Sequence, residues 1–197
     1  MLSSAMDSQI TLVNPAPPVA LVFNMSSTLN TTLFAHSKPM YRVRSDRAGA
    51  RTDIYDIQAK SIVGTIKRKE VFSDTVTFPH RNSGKPIKVR KWLRSTRTPG
   101  GFSSMTLETE SGLFIWRLDT SLRLVLYRED DLDSPISYVK SSSPNSHLIL
   151  VLKSGSEDIR EEIIVSFLIL EQKLRVQEKI RRSEAMYGPM SGRMILH

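Results

Sequence analysis

Apolar and polar positions alternate with a period of two along most of this chain, in short segments set apart by turn residues. Segments at 19–23, 28–34, 40–44, 54–58, 62–67, 75–78, 102–109, 113–119, 122–127, 136–140 and 147–152 each predict a strand. In 40–44, Tyr41 and Val43 fall on one side, and Arg42 and Arg44 on the other. In 62–67, Ile62, Gly64 and Ile66 oppose Val63, Thr65 and Lys67. Leu122, Leu124 and Leu126 share a face, and 147–152 reads as a strand buried on both faces. Glu110-Ser111-Gly112 predicts a hairpin turn, and Gly84-Lys85-Pro86 a second turn. Residues 87–94 fit a short strand or a helical turn anchored by Trp92 and Leu93.

The pattern changes at the C-terminal end, where residues 157–182 predict one long helix. Ser154 with Glu157 forms a capping-box pattern, with Ser156 as an alternative cap. Acidic residues crowd the first turns and basic residues the last, as the helix dipole favours, and Glu171–Arg175 and Glu178–Arg182 are i,i+4 pairs. From Ile163 to Leu170 the helix is apolar around its whole circumference, interrupted only by Ser166. Such a helix must be surrounded. Short strands can surround it only by curling round it, so the chain is expected to be mainly β: a closed antiparallel barrel of about ten to twelve strands around a buried C-terminal helix. At about 1.5 Å per residue the helix is long enough to thread the barrel and protrude.

Composition adds limits. The 197 residues, 40% hydrophobic and 24% charged, suit one domain, expected over 19–182, with a flexible leader at 1–18 and a flexible tail at 183–197. With no cysteine there is no disulfide, thiolate ligand or cysteine nucleophile. No segment has the length of a membrane-spanning helix or the pattern of a secretory signal, so a cytoplasmic location is expected, with the inner membrane surface or the nucleus as variants. The N-x-S/T sequons at Asn24 and Asn30 are then read as chance. Charge is uneven: residues 38–97 hold 16 Lys and Arg against 5 Asp and Glu, whereas the rest of the chain nets −3.

Several stretches resemble a fungal family of unknown function within the tubby C-terminal-like superfamily, which includes tubby proteins, phospholipid scramblases and LURP-one-related proteins. They are LVFNMSSTLNTTLF (21–34), KPMYRVRSD (38–46), VGTIKRKEVFSDTVTF (63–78), GKPIKVRKWLR (84–94), SGLFIWRLDTSLRLVLYRED (111–130) and IIVSFLILEQKLRVQEKIRR (163–182). The resemblance implies the barrel threaded by a helix and supplies no catalytic residue. Tubby proteins bind phosphatidylinositol bisphosphate through surface lysine and arginine, which makes an anionic lipid the partner to expect by analogy.

No phosphate-loop, dinucleotide, nucleophile-elbow or zincin motif occurs. His36, His80, His147 and His197 have no metal-ligand spacing. The acidic run Glu129–Asp133 lacks the glycine of a calcium loop and reads as a solvated turn. Trp92 and Trp116 read as core. No enzyme activity, metal or cofactor is expected. The expected binding residues are Lys67, Arg68 and Lys69 together with Lys85, Lys88, Arg90, Lys91 and Arg94, in a series continued by Arg97. The leading expectation is a module that recognises anionic phospholipid headgroups, or a protein partner at a membrane surface, through this basic face. The alternative is a nucleic-acid-associated or transcription-linked factor using the same face.

Overall fold

A computed structural model describes residues 16–25, 27–69, 71–97, 103–140 and 147–187. The proposed leader and tail lie mostly outside these. Thirteen strands form one antiparallel sheet: β1 (Val19–Phe23), β2 (Thr31–Ala35), β3 (Lys38–Ser45), β4 (Arg51–Asp56), β5 (Ser61–Lys67), β6 (Thr75–Thr77), β7 (Ile87–Lys88), β8 (Leu93–Arg97), β9 (Ser103–Thr109), β10 (Gly112–Leu118), β11 (Leu124–Arg128), β12 (Asp131–Lys140) and β13 (Ile149–Leu152). The helices are the single turn α1 (Val89–Trp92) and the long α2 (Arg160–Tyr187). Thus 87–94 is both strand and helical turn, and α2 continues past 182 to Tyr187.

β1 pairs with β13, and from that central seam the sheet grows outward both ways, giving the order β7-β6-β5-β4-β3-β2-β1-β13-β12-β11-β10-β9-β8. Every other pairing joins strands consecutive in the chain. The sheet wraps round α2 but does not close. It ends in two edges, β7 and β8, linked by α1. This corrects the expected closed barrel. The physical reason lies in the sequence of the linker. β7 has two residues and follows Pro86, which has no N–H to donate, and the chain then turns into a helix instead of extending a ladder. Side-chain packing fills the gap that hydrogen bonds leave: Val89, Trp92 and Leu93 are buried, with the Trp92 and Phe78 rings 5.3 Å apart.

Inside, the apolar stretch of α2 meets the inward residues of nearly every strand. Ile163, Ile164, Val165, Phe167 and Leu168 are fully buried against a core that includes Leu21, Phe23, Leu33, Ile54, Leu107, Phe114 and Leu150. Each such side chain contributes about 1.5–3 kcal/mol by leaving water. Phe167 meets Phe23 edge-on at 5.4 Å. Ser166 accepts a 3.0 Å bond from the Trp116 indole N–H and donates to the Ile163 carbonyl, which explains a hydroxyl in this setting. Two buried glutamates bracket the apolar stretch. Glu162 meets Arg81 at 3.0 Å, and Glu171 meets both Arg123 (2.6 Å) and Arg175 (2.7 Å).

Three local expectations change. Glu157 does not complete a capping box; its carboxylate accepts from the Gly155 N–H, and the Ser156 hydroxyl donates to the Lys153 carbonyl. Glu178 pairs with Arg123 at 2.8 Å across to the β10–β11 turn. A β-bulge at Val63, opposite the Ile54/Tyr55 step, reverses the alternation, so Val63 is buried and Ile62 is exposed.

Candidate functional site

The antiparallel register sorts the loops into two rims. Hairpins β1–β2, β3–β4, β5–β6 and β10–β11 lie at the end where α2 emerges; β2–β3, β4–β5, β9–β10 and β11–β12 lie at the other. At the exit rim Lys67 pairs in register with Arg51 on one side and Thr75 on the other, and Thr75 pairs with Lys88. Directly opposite residues share a sheet face, so Arg51, Lys67 and Lys88 form one exposed outward row across β4, β5, β6 and β7. Asp53 holds Arg51 at 2.9 Å, while Lys67 and Lys88 extend into solvent.

The other predicted cations divide into groups. Arg68 turns inward. Its guanidinium donates to the Gly49 carbonyl (2.7 Å), to Thr52 Oγ1 (3.2 Å) and to Gln172 Oε1 on α2, and burial pulls its pKa below the usual arginine range. It is a clamp between sheet and helix rather than a free binding group. Lys69 is exposed and lies over the Phe72 ring at 5.8 Å from the centroid. Lys85 is exposed after the short turn Asn82–Gly84, on the connection at the opposite rim.

Arg90, Lys91 and Arg94 line a cleft of about 650 Å³ at the β7/β8 seam, together with Arg81, Ile87, Trp92, Glu108, Thr109 and Glu110. Much of its charge is compensated internally: Arg94 meets Glu108 at 3.3 Å, and Arg81 meets Glu110 at 3.3 Å as well as Glu162. The Trp92 indole N–H faces no acceptor among the described residues, and its ring is buried at the cleft. Arg97 ends β8, and its side chain lies outside the described residues.

A second groove, about 370 Å³, lies between the β5–β6 loop and α2, lined by Ile66, Arg68, Asp74, Ile169, Gln172, Lys173, Val176 and Gln177. Its surroundings include residues that the basic-cluster reading missed. Val71 and Phe72 are 86% and 73% exposed at the tip of the β5–β6 loop. Their signal was present: two adjacent apolar residues outside any alternating segment, one residue past Lys67-Arg68-Lys69.

The acidic run also becomes interpretable. Asp130 pairs with Arg128 at 2.9 Å, and Asp131 accepts the Asp133 and Ser134 amides at the start of β12. Both sequon asparagines are structural acceptors: Asn24 for Thr32 N–H and Thr31 Oγ1, and Asn30 for Ser45 N–H. Among the described residues, no helix is long and apolar enough to cross a membrane.

Residues 26–176 match the model of a family of unknown function, DUF6593. No curated protein matches the chain. An Arabidopsis thaliana protein of known X-ray structure is similar at 11% identity with a TM-score of 0.49, covering 79% of this chain and 90% of that one.

Proposed function

The chain belongs to that family of unknown function, DUF6593, and on its own geometry we propose that it is a non-enzymatic module that binds anionic phospholipid headgroups through the basic face at the exit rim. The carrying observation is the solvent-facing row of Lys67 and Lys88 beside Arg51, with Lys69 on the loop that follows. Three strands hold these cations at fixed spacing, so little side-chain ordering is needed beyond the lysine stems. A sheet wrapped round a buried helix supports kinship with the tubby-like architecture, and with it the lipid reading over nucleic acid. Trp92, within the basic series in sequence, is buried and offers bases no stacking platform, which leaves the exposed Phe72 as the aromatic beside Lys69.

Co-sedimentation with liposomes, with and without phosphoinositide, over a salt series tests the reading. Replacement of all three of Lys67, Arg68 and Lys69 would confuse binding with folding, because Arg68 is tied to α2. Lys67→Ala/Lys88→Ala is the informative variant, since both side chains are exposed. Salt-sensitive binding that requires the anionic lipid and falls in this double variant, with the melting temperature unchanged, is expected. Preference for a single-stranded oligonucleotide over every liposome would instead support the nucleic-acid reading.

A further inference from the structure

Ten large apolar side chains are exposed among the described residues, and of these only Ile62 and Leu132 lie toward the rim opposite the helix exit. The rest belong to the exit rim and the protruding part of α2, where Val71, Phe72, Val176 and Ile180 are the most concentrated set. Charge leans the same way, although exposed Asp46 and Asp119 share the exit rim and exposed Lys60 and Lys85 the far one. Exposed Lys67, Lys69, Lys173 and Lys179 stand around these apolar residues. The far rim carries the acidic segments 129–133 and 157–158, also exposed.

Helical spacing gives this set a common side. Val176 and Ile180 are i,i+4 neighbours, and Lys173 and Lys179, three residues to either side of Val176, flank it. The groove shared by Ile66, Arg68, Lys173 and Val176 shows that this helix face looks toward the β5–β6 loop, whose tip carries Val71 and Phe72. The loop base is held by the Lys69 N–H to Asp74 Oδ1 (3.2 Å) and by the Val89 N–H to the Asp74 carbonyl (2.8 Å), so the tip projects from a fixed foot.

We propose that this side of the exit rim inserts into the surface of an anionic bilayer, with Val71 and Phe72 below the headgroups, the Val176/Ile180 face of α2 lying along the interface, and Lys67, Lys69, Lys173 and Lys179 at the level of the phosphates. The inference rests on the headgroup reading above and deepens it, turning an electrostatic contact into an inserted one. Lysine suits this arrangement because its stem can cover apolar surface while its ammonium stays with the headgroups; Lys69 Nζ stands 5.8 Å from the Phe72 ring centroid, so charge and apolar surface are neighbours at the loop. An interfacial helix with an apolar face and flanking lysines binds in this way, and apolar area supplements attraction to anionic lipid. The coincidence of charge and apolarity at one rim favours a bilayer over a protein partner, because the acidic rim would be turned away from the negative surface.

Vesicles of phosphatidylcholine with and without phosphatidylserine provide the test. Phe72→Trp is expected to shift its emission to the blue on the anionic vesicles and to be quenched by lipids brominated along the acyl chain; native Trp92 and Trp116 are buried and give the background. Val71→Ser/Phe72→Ser should weaken partitioning roughly tenfold to a hundredfold through the lost apolar burial. Its melting temperature should stay unchanged, because both side chains are exposed. Val176→Ser/Ile180→Ser tests the helix face in the same assay. If the wild type binds anionic vesicles and both double variants bind equally well, with no blue shift, docking is by charge alone; insertion is overturned and the headgroup reading stands. If the wild type ignores anionic vesicles at low salt, those carrying phosphoinositide included, both readings fall.

Discussion

At Gly64 the sheet lies close against the helix, which gives a direct test of how α2 is seated. A β-carbon built at Gly64 would lie 2.7 Å from Val165 Cγ2, with Phe78 at 3.7 Å and Ile54 at 3.8 Å. Carbon atoms prefer separations of about 3.5–4.0 Å, so Gly64→Ala asks β5 and α2 to part by roughly 1 Å at a point where both are buried. Val165 is β-branched and stiff in a helix, so it cannot rotate freely away. Overpacking of this kind costs about 1–3 kcal/mol. The alanine recovers about 0.4–1 kcal/mol by restricting the unfolded chain. A net loss of about 1–2 kcal/mol is expected, or roughly 2–8 °C in melting temperature for a chain of this size. The contact is specific, so Val165→Ala should relieve it: the double variant should be at least 1 kcal/mol more stable than the two single losses added together, because the new methyl occupies vacated space. Urea titrations followed by tryptophan emission are suited to this, since Trp116 donates to Ser166, the next residue along α2. Additive losses, or a Gly64→Ala protein as stable as the wild type, would refute the close seating of α2 on β5.

Further outcomes follow from the two glutamates that bracket the apolar stretch of α2. Glu171 is fully buried and accepts from Arg123 and Arg175, so Glu171→Gln should destabilise by about 2–3 kcal/mol, below the full cost of breaking a buried pair because both arginines are partly solvated; a chemical denaturation midpoint within error of the wild type would count against this anchor. Burial raises the pKa of Glu162 above its ordinary value, with Arg81 opposing the rise and Glu161 and Glu110 adding to it. A raised folded value favours the protonated acid, so its contribution is full below the unfolded pKa and is lost as pH rises through the folded one. Relative to Glu162→Gln, the wild type should therefore lose stability as pH rises from about 4 toward 7; parallel stability curves for the two proteins would remove Glu162 from the pH dependence.

Much of the architecture follows from local patterning alone. Period-two alternation located the strands because one face of each is buried, and the stretch 163–170, apolar on every side but for Ser166, required that those strands wrap a helix. Trp92 and Trp116 were placed in the core by their apolar neighbours, and they are there. Closure was beyond the sequence, because it depends on whether the first and last strands of a 13-stranded sheet can meet. A two-residue strand after Pro86 cannot supply the ladder, and the seam is packed by side chains instead. The bulge at Val63 was equally hidden: one extra residue changes the facing of Ile62 without altering the composition of the segment.

The candidate site divides along the same line. The sequence determined the inventory of cations, since clustering of Lys and Arg between residues 38 and 97 is visible without coordinates. Only the tertiary structure decided their roles. Arg68 lies between two exposed lysines in the chain, yet it is drawn inward by three acceptors from separate elements. Lys67 and Lys88 are 21 positions apart and become members of one row through Thr75. The alignment of Val71 and Phe72 with a helix face a hundred residues later is likewise a product of α2 passing through the sheet. Local sequence sets which way a side chain points within its own strand or turn, but only packing between distant elements sets what stands beside it.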